Sequence, residues 1–174
     1  NLIKAKKMRK THKETDSNIE RILDLGWVGM PDIINGDFFD ALENTPVIPV
    51  IAPVGFDDEG NTYNINADNV AGAIAAELEA SKLILMTDVD GVQDSEKNLM
   101  ASLTTFQAED MIKSGQIMGG MIPKVKSCID AVNSGVARAH ILDGRIPHVL
   151  LLELFTDAGV GTMITKEKVS HVGA

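Results

Sequence analysis

With 174 residues, 44% of them apolar, the chain can bury one sizeable core; 4% aromatic content beside plentiful Ala, Val, Ile, Leu and Gly suits packed α/β layers rather than a β-sandwich or a disulfide scaffold. A net charge of −9 argues against a nucleic-acid partner, and a single cysteine, Cys128, excludes an internal disulfide. That lone cysteine, in an apolar helical pattern, reads as a small core residue and makes a reducing, cytoplasmic setting the expectation. No apolar run approaches the length of a membrane-spanning helix and no signal-peptide core is visible.

Charge is uneven along the chain. NLIKAKKMRKTHK, residues 1–13, holds six Lys or Arg and no acid, which leaves ten bases against 25 acids in the rest. Its alternating lysines over residues 1–8 predict a solvated edge strand whose charges discourage edge pairing; a basic arm tracking phosphates is the other reading. NIERILDLGWVG, residues 18–29, reads as an extended segment closing at Gly29. GDFFDALENT, residues 36–45, reads as a helix with Phe38, Phe39 and Leu42 on one face and Asp37 near its start. PVIPVIAPV, residues 46–54, is apolar, β-branched and bounded by turn residues, which predicts a fully buried parallel strand. DDEGNTYNI predicts a hairpin turning at Glu59-Gly60-Asn61, and ADNVAGAIAAELEAS an Ala-rich helix capped by Asn66.

KLILMTDV, residues 82–89, is a second buried strand. FQAEDMIKSG, residues 106–115, and IPKVKSCIDAVNSG, residues 122–135, are helices ended by Gly115 and Gly135. ARAHILDG is a third buried strand, HVLLLELF an apolar helix and VGTMIT a last short strand. Such alternation implies a parallel sheet covered on both faces, with ligands held outside the carboxyl ends of its strands. Thr87-Asp88, Asp143-Gly144 and the loop after Val54 lie there.

Three stretches could carry chemistry. TDVDGV, residues 87–92, places two aspartates and a glycine directly after a buried strand, where nucleotides are held; the same residues also make an ordinary strand-ending turn. GQIMGGMIPKVK, residues 115–126, sets Gly119 and Gly120 before a helix start that favours negative charge. Pro123 suits the first turn, and Lys124 would reach a phosphate there or decorate the surface. YNINAD, residues 63–68, puts Asp68 at a helix start, either as a dipole-complementing charge or as an acid that positions an ammonium for phosphoryl transfer. His12, His140, His148 and His171 show no metal-ligand spacing, and no Walker loop, zinc pattern or nucleophile elbow is present.

Together these stretches resemble the acetylglutamate kinases of the amino acid kinase family. The resemblance runs through VIPVIAPVGFDDEGNTYNINAD, AAELEASKLILMTDVDGV, GGMIPKVKSCIDAV and HILDGRIPHVLLLELFTDAGVGTMI, in order from about residue 2 to 165. It implies an α/β fold, an αβα sandwich with a mainly parallel open sheet. Residues 1–65 would belong to the acetylglutamate-binding half and residues 66–174 to the ATP-binding half of one fold. The implied reaction moves the γ-phosphoryl of ATP to the side-chain carboxylate of N-acetyl-L-glutamate in arginine biosynthesis. Mg2+ would be held mainly through the nucleotide, with no protein metal site.

Carried over residue by residue, the resemblance makes Asn64 a substrate-binding residue, Asp68 the organiser of the catalytic lysines and Lys124 the stabiliser of the transferring phosphoryl. Thr87, Asp88, Val89 and Gly91 would contact the nucleotide on one side, and Met118, Gly119, Gly120 and Met121 on the other. The C-terminal run is similar to the arginine-inhibited, hexameric branch, where His140, Glu153 and Gly159 would match an arginine effector site. The implied partners are acetylglutamate, ATP, arginine as feedback inhibitor and further copies of the chain in a dimer or hexamer, with no nucleic acid and no membrane.

The departures are equally specific. The family's upstream lysine with its paired-glycine loop, a second glycine pair and a substrate-holding arginine are not in these residues, nor is the branch's interlacing helix. The chain is therefore expected to be a portion of such a kinase, inactive and not hexameric alone. Another amino acid kinase, acting on glutamate, aspartate, carbamate or UMP, stands as the alternative, as does a non-catalytic nucleotide- or arginine-binding module. A nicotinamide-binding Rossmann enzyme is disfavoured because no strand is followed by GxGxxG.

Overall fold

The computed structural model describes residues 1–13, 20–156 and 159–166, and the side chains of residues 10–23 lie outside that description. It divides into two units, Asn1–Ala73 and Ile74–Ala174.

In the first unit, β1 (Ile3–Lys13) pairs antiparallel with β2 (Glu20–Ile34), and β3 (Val54–Phe56) pairs antiparallel with β4 (Thr62–Ile65). Parallel contacts of β1 with β3 and of β2 with β4 close the four strands into a small barrel, in the order β1-β2-β4-β3. Its buried residues alternate along the strands: Ile3 and Ala5 on β1, Tyr63 and Ile65 on β4. The interior is so narrow that a Cβ at Gly55 would come 2.7 Å from the Ala5 Cβ and 2.9 Å from the Ile65 Cδ1. β1 is thus paired on both sides at Lys4, not a plain edge. Its lysines face acids: Lys4 with Asp58 at 2.7 Å, Lys6 with Asp32 at 2.6 Å and Lys7 with Asp24 at 3.0 Å.

One sequence expectation fails here. PVIPVIAPV forms no strand before Val54, and Ile48 and Val50 are 88% and 98% exposed. A fully buried strand needs ladder partners and covered faces, and within this unit the ring is already closed without it. The run instead borders an open apolar groove with Leu2, Phe38, Leu42 and Phe56. The helix expected over 36–45 shortens to α1 (Asp37–Asp40) followed by turns. The predicted hairpin at 59–61 is present, with Gly60 at φ +83°. Asn66 caps α2 (Ala67–Glu77) as expected, its Oδ1 accepting from the Asp68 N–H at 2.8 Å.

The second unit holds an open four-stranded sheet in the order β5-β7-β8-β6. Its strands are β5 (Leu83–Thr87), β6 (Ser102–Thr104), β7 (Ala139–Asp143) and β8 (Thr162–Thr165). The β5–β7 and β6–β8 pairs are parallel and β7–β8 is antiparallel, so the α/β class with a mainly parallel sheet holds. β7 is buried at all five positions, as a central strand must be. Helices α3 (Thr105–Lys113) and α4 (Met121–Asn133) pack on the sheet, α4 through Val125, Cys128, Ile129 and Val132; α5 (Val149–Phe155) follows β7. Thr104 and Gln107 form a reciprocal capping box at the start of α3. Gly115 and Gly135 stand at φ +75° and +116° after α3 and α4, the left-handed positions expected of them.

Candidate functional site

Parallel pairing sets Thr87, the last residue of β5, opposite Asp143, the last residue of β7. The Gly144 N–H donates to the Thr87 carbonyl at 2.8 Å and holds the two strand ends together. Into this rim reaches Lys124, the fourth residue of α4, whose Nζ donates to the Met86 carbonyl at 3.4 Å. Lys124 and the β5 exit, which the sequence suggested separately, are thus brought together. Thr87 Oγ1 lies 3.4 Å from Asp88 Oδ1, and Asp88, Val89 and Asp90 are exposed beyond it.

Ahead of α4, Gly119 (φ +58°) and Gly120 have nothing within 4 Å of an added Cβ, and Met118 is exposed. Gly120 is the N-cap and no side chain caps it, while Met121 is half-buried. An open glycine pair beside an ammonium suits an anionic ligand. Gly91 differs. Held at φ +143°, it packs so tightly that a Cβ would lie 2.7 Å from Thr162 Oγ1 and 2.8 Å from Leu99 Cδ1. The next residue, Val92, donates its N–H to that same hydroxyl at 2.8 Å. The glycine in TDVDGV therefore anchors the loop to β8.

Two residues at this rim were not singled out from the sequence as chemistry-bearing. The Asp143 carboxylate is buried and receives Arg145 through Nε at 2.8 Å, Nη2 at 2.7 Å and the backbone N–H at 2.9 Å. These bonds hold the Asp143 carboxyl down at about 2, and the same pairing raises the Arg145 guanidinium. Arg145 Nη2 also reaches Asp90 Oδ1 at 3.3 Å. The sequence placed Asp143-Gly144 among the strand ends where ligands are held, but gave Asp143 no role and did not single out Arg145.

A second cluster joins β7, α5 and the approach to β8. His140 Nδ1 lies 2.8 Å from Glu153 Oε1, with the two side chains 5% and 7% exposed. Lys82 Nζ stands 3.6 Å from the same oxygen, and the Val160 N–H donates to Glu153 Oε2 at 3.3 Å. Burial pushes the imidazole below its usual 6.5, with Glu153 pulling the other way and Lys82 and Arg138 adding to the drop. A neutral ring donating from Nδ1 leaves Nε2 as an acceptor, buried and without a hydrogen-bond partner among the described residues. Gly159, next to Val160, is exposed. The structure pairs His140 with Glu153, and Gly159 precedes Val160, whose N–H contacts the same carboxylate.

The remaining candidates belong to the first unit and are described within it. Alternation on β4 buries Tyr63 and Ile65 and turns Asn64 outward. Asp68 sits in the first turn of α2, next to the capping Asn66. Among the described residues no group of three or more His, Cys, Asp or Glu is placed to hold a metal ion, and no helix is long and apolar enough to cross a membrane.

The chain is similar to known proteins. A model of the amino acid kinase family matches residues 12–143. An acetylglutamate kinase of Parvibaculum lavamentivorans is 51% identical over 95% of this chain and 55% of its own length. One of Syntrophobacter fumaroxidans is 52% identical over 95% and 56%. Among solved structures, the N-acetylglutamate synthase of Neisseria gonorrhoeae complexed with coenzyme A and L-arginine superimposes with a TM-score of 0.81 at 25% identity, over 96% of this chain and 37% of that one. The chain spans about half the length of the curated relatives it matches.

Proposed function

The chain belongs to the amino acid kinase family, and from that premise we propose that it serves acetylglutamate phosphorylation, carrying the nucleotide side of the reaction. ATP, with Mg2+ held mainly through its phosphates, would lie at the carboxyl ends of β5 and β7 and donate its γ-phosphoryl to the side-chain carboxylate of N-acetyl-L-glutamate. The observation that carries this reading is Lys124 Nζ, 3.4 Å from the Met86 carbonyl at the exit of β5. An ammonium fixed there meets the charge that spreads over a transferring phosphoryl group, where catalysis is mainly positioning and electrostatic stabilisation.

In this reading Lys124 and Asp68 are the catalytic residues and Asn64 binds the substrate. Thr87, Asp88 and Val89 contact the nucleotide, with Gly91 fixing their loop. Met118 to Met121 line the other side, and the open backbone at Gly119 and Gly120 fits an approaching phosphate. The cytoplasm, assembly with further copies of the chain and a place in arginine biosynthesis belong to the same proposal. So does an arginine effector site at His140, Glu153 and Gly159, supported by the buried Glu153 carboxylate, a fit partner for a guanidinium, and by the synthase complexed with L-arginine. The test is ADP formation by the full protein across a panel of N-acetyl-L-glutamate, glutamate, aspartate, carbamate and UMP. Turnover with N-acetyl-L-glutamate above all others is expected; preference for another acceptor, or nucleotide binding without any turnover, would overturn the assignment.

A further inference from the structure

We propose that Arg145 is a positioning residue for the nucleotide: clamped by the buried Asp143, it straps the exposed Asp88–Asp90 loop to the end of β7 and so holds that loop in its binding conformation. The inference rests on the nucleotide reading above. Its basis is geometric. Asp143 is nearly inaccessible and takes the guanidinium with two of its donors, at 2.8 and 2.7 Å, a fork that leaves the arginine little freedom. From this fixed seat Nη2 reaches Asp90 at 3.3 Å, across to the β5 exit.

The backbone makes a second tether between the same two segments, Gly144 N–H to the Thr87 carbonyl at 2.8 Å. A side chain at 144 would press on Met86 Cε at 3.3 Å and the Thr87 carbonyl at 3.4 Å, so residues 143–145 hug the strand end. Asp143 and Asp90 both bond the guanidinium, and the charge of Asp88 adds to theirs. That balance makes Arg145 a neutraliser and cross-link rather than a contact for the nucleotide's phosphates. Gly91, packed against Thr162, pins the far end of the loop. The loop is therefore held at Thr87, at Asp90 and at Gly91, and only the middle hold can be removed without touching the core.

The experiment is calorimetric titration of MgAMP-PNP into the chain, with thermal unfolding measured in parallel, for wild type, Arg145→Gln, Arg145→Lys, Asp90→Asn and Arg145→Gln/Asp90→Asn. The expected Kd rises about 10-fold in Arg145→Gln and almost as much in Arg145→Lys, which keeps the charge but loses the fork. Asp90→Asn weakens binding by a lesser factor, and the double variant is no weaker than Arg145→Gln alone, because both act through one tether. Arg145→Gln and Arg145→Lys take the fork from the buried Asp143 and lower the unfolding temperature, whereas Asp90→Asn, at an exposed carboxylate, leaves it at the wild-type value and still weakens binding. A Kd for Arg145→Gln within 2-fold of a wild type that does bind overturns this inference and leaves the nucleotide reading standing. Full rescue by Arg145→Lys, or weaker binding only in step with a lower unfolding temperature, also overturns it. A wild type that binds no nucleotide overturns the reading and the inference together.

Discussion

Truncating Glu153 to alanine should destabilise the second unit well beyond what removing its partner His140 does. Glu153 accepts from His140 Nδ1 at 2.8 Å and from the Val160 N–H at 3.3 Å, and faces Lys82 at 3.6 Å. Its loss would leave the imidazole with both ring nitrogens unpartnered at 5% exposure, since Nε2 already has none. A hydrogen bond to a charged group is worth roughly 1.5–3 kcal/mol, and a stranded buried donor costs about 1–3 kcal/mol, so Glu153→Ala should cost about 3 kcal/mol. His140→Leu removes the orphaned Nε2 while leaving Glu153 its contacts with Lys82 and Val160. Its cost should stay below about 1 kcal/mol. Native-state hydrogen exchange of the β7 amides reads this unit directly, whereas Trp27 fluorescence reports the first. A Glu153→Ala effect under about 0.5 kcal/mol, or His140→Leu as the costlier change, would refute the reasoning.

Two further outcomes follow from turns and carboxylates. Asp57–Asn61 and Asp94–Asn98 are the same D-x-E-x-N turn: in each the aspartate Oδ1 accepts two backbone N–H groups, and the fourth residue is left-handed, Gly60 at φ +83° and Lys97 at φ +65°. Lys97→Gly should therefore raise stability by about 0.5–1 kcal/mol and Gly60→Ala lower it by about 1 kcal/mol, read by thermal unfolding. Asp57, bonded by Asn61, and Asp143, bonded by Arg145, are both held at about 2 against an ordinary 3.8. The unfolded chain binds more protons than the folded one in that interval, so stability is full above about pH 4 and falls toward pH 2; Asp57→Asn and Asp143→Asn should each flatten the slope in acid titrations followed by circular dichroism.

The second unit was far more legible in the sequence than the first, for physical reasons. Apolar runs such as LILM and AHIL are short, and the amphipathic helices between them end at Gly115 and Gly135, so pattern and stop signals locate β5, β7 and α4. β6 escaped notice because Ser102–Thr104 is three residues with a single apolar side chain, paired to β8 only through the fold. In the first unit the apolar content of residues 46–54 is indistinguishable from a buried strand, and what decides its fate is whether pairing partners exist, which is no local property. Barrel closure was hidden in the same way, in the bare backbone of Gly29 and Gly55. At the site, Lys124 was visible through the glycines before it, while Arg145 needed the β5–β7 register to acquire a partner across the rim.

The most direct test of the nucleotide assignment is titration of MgAMP-PNP and MgADP into the wild-type chain and into Lys124→Ala. The account predicts that wild type binds both, and that the substitution weakens the triphosphate analogue by about 10-fold or more while the diphosphate loses less, because Lys124 meets the transferring phosphoryl. Equal affinities in the two proteins would contradict it and leave a nucleotide-binding module without chemistry.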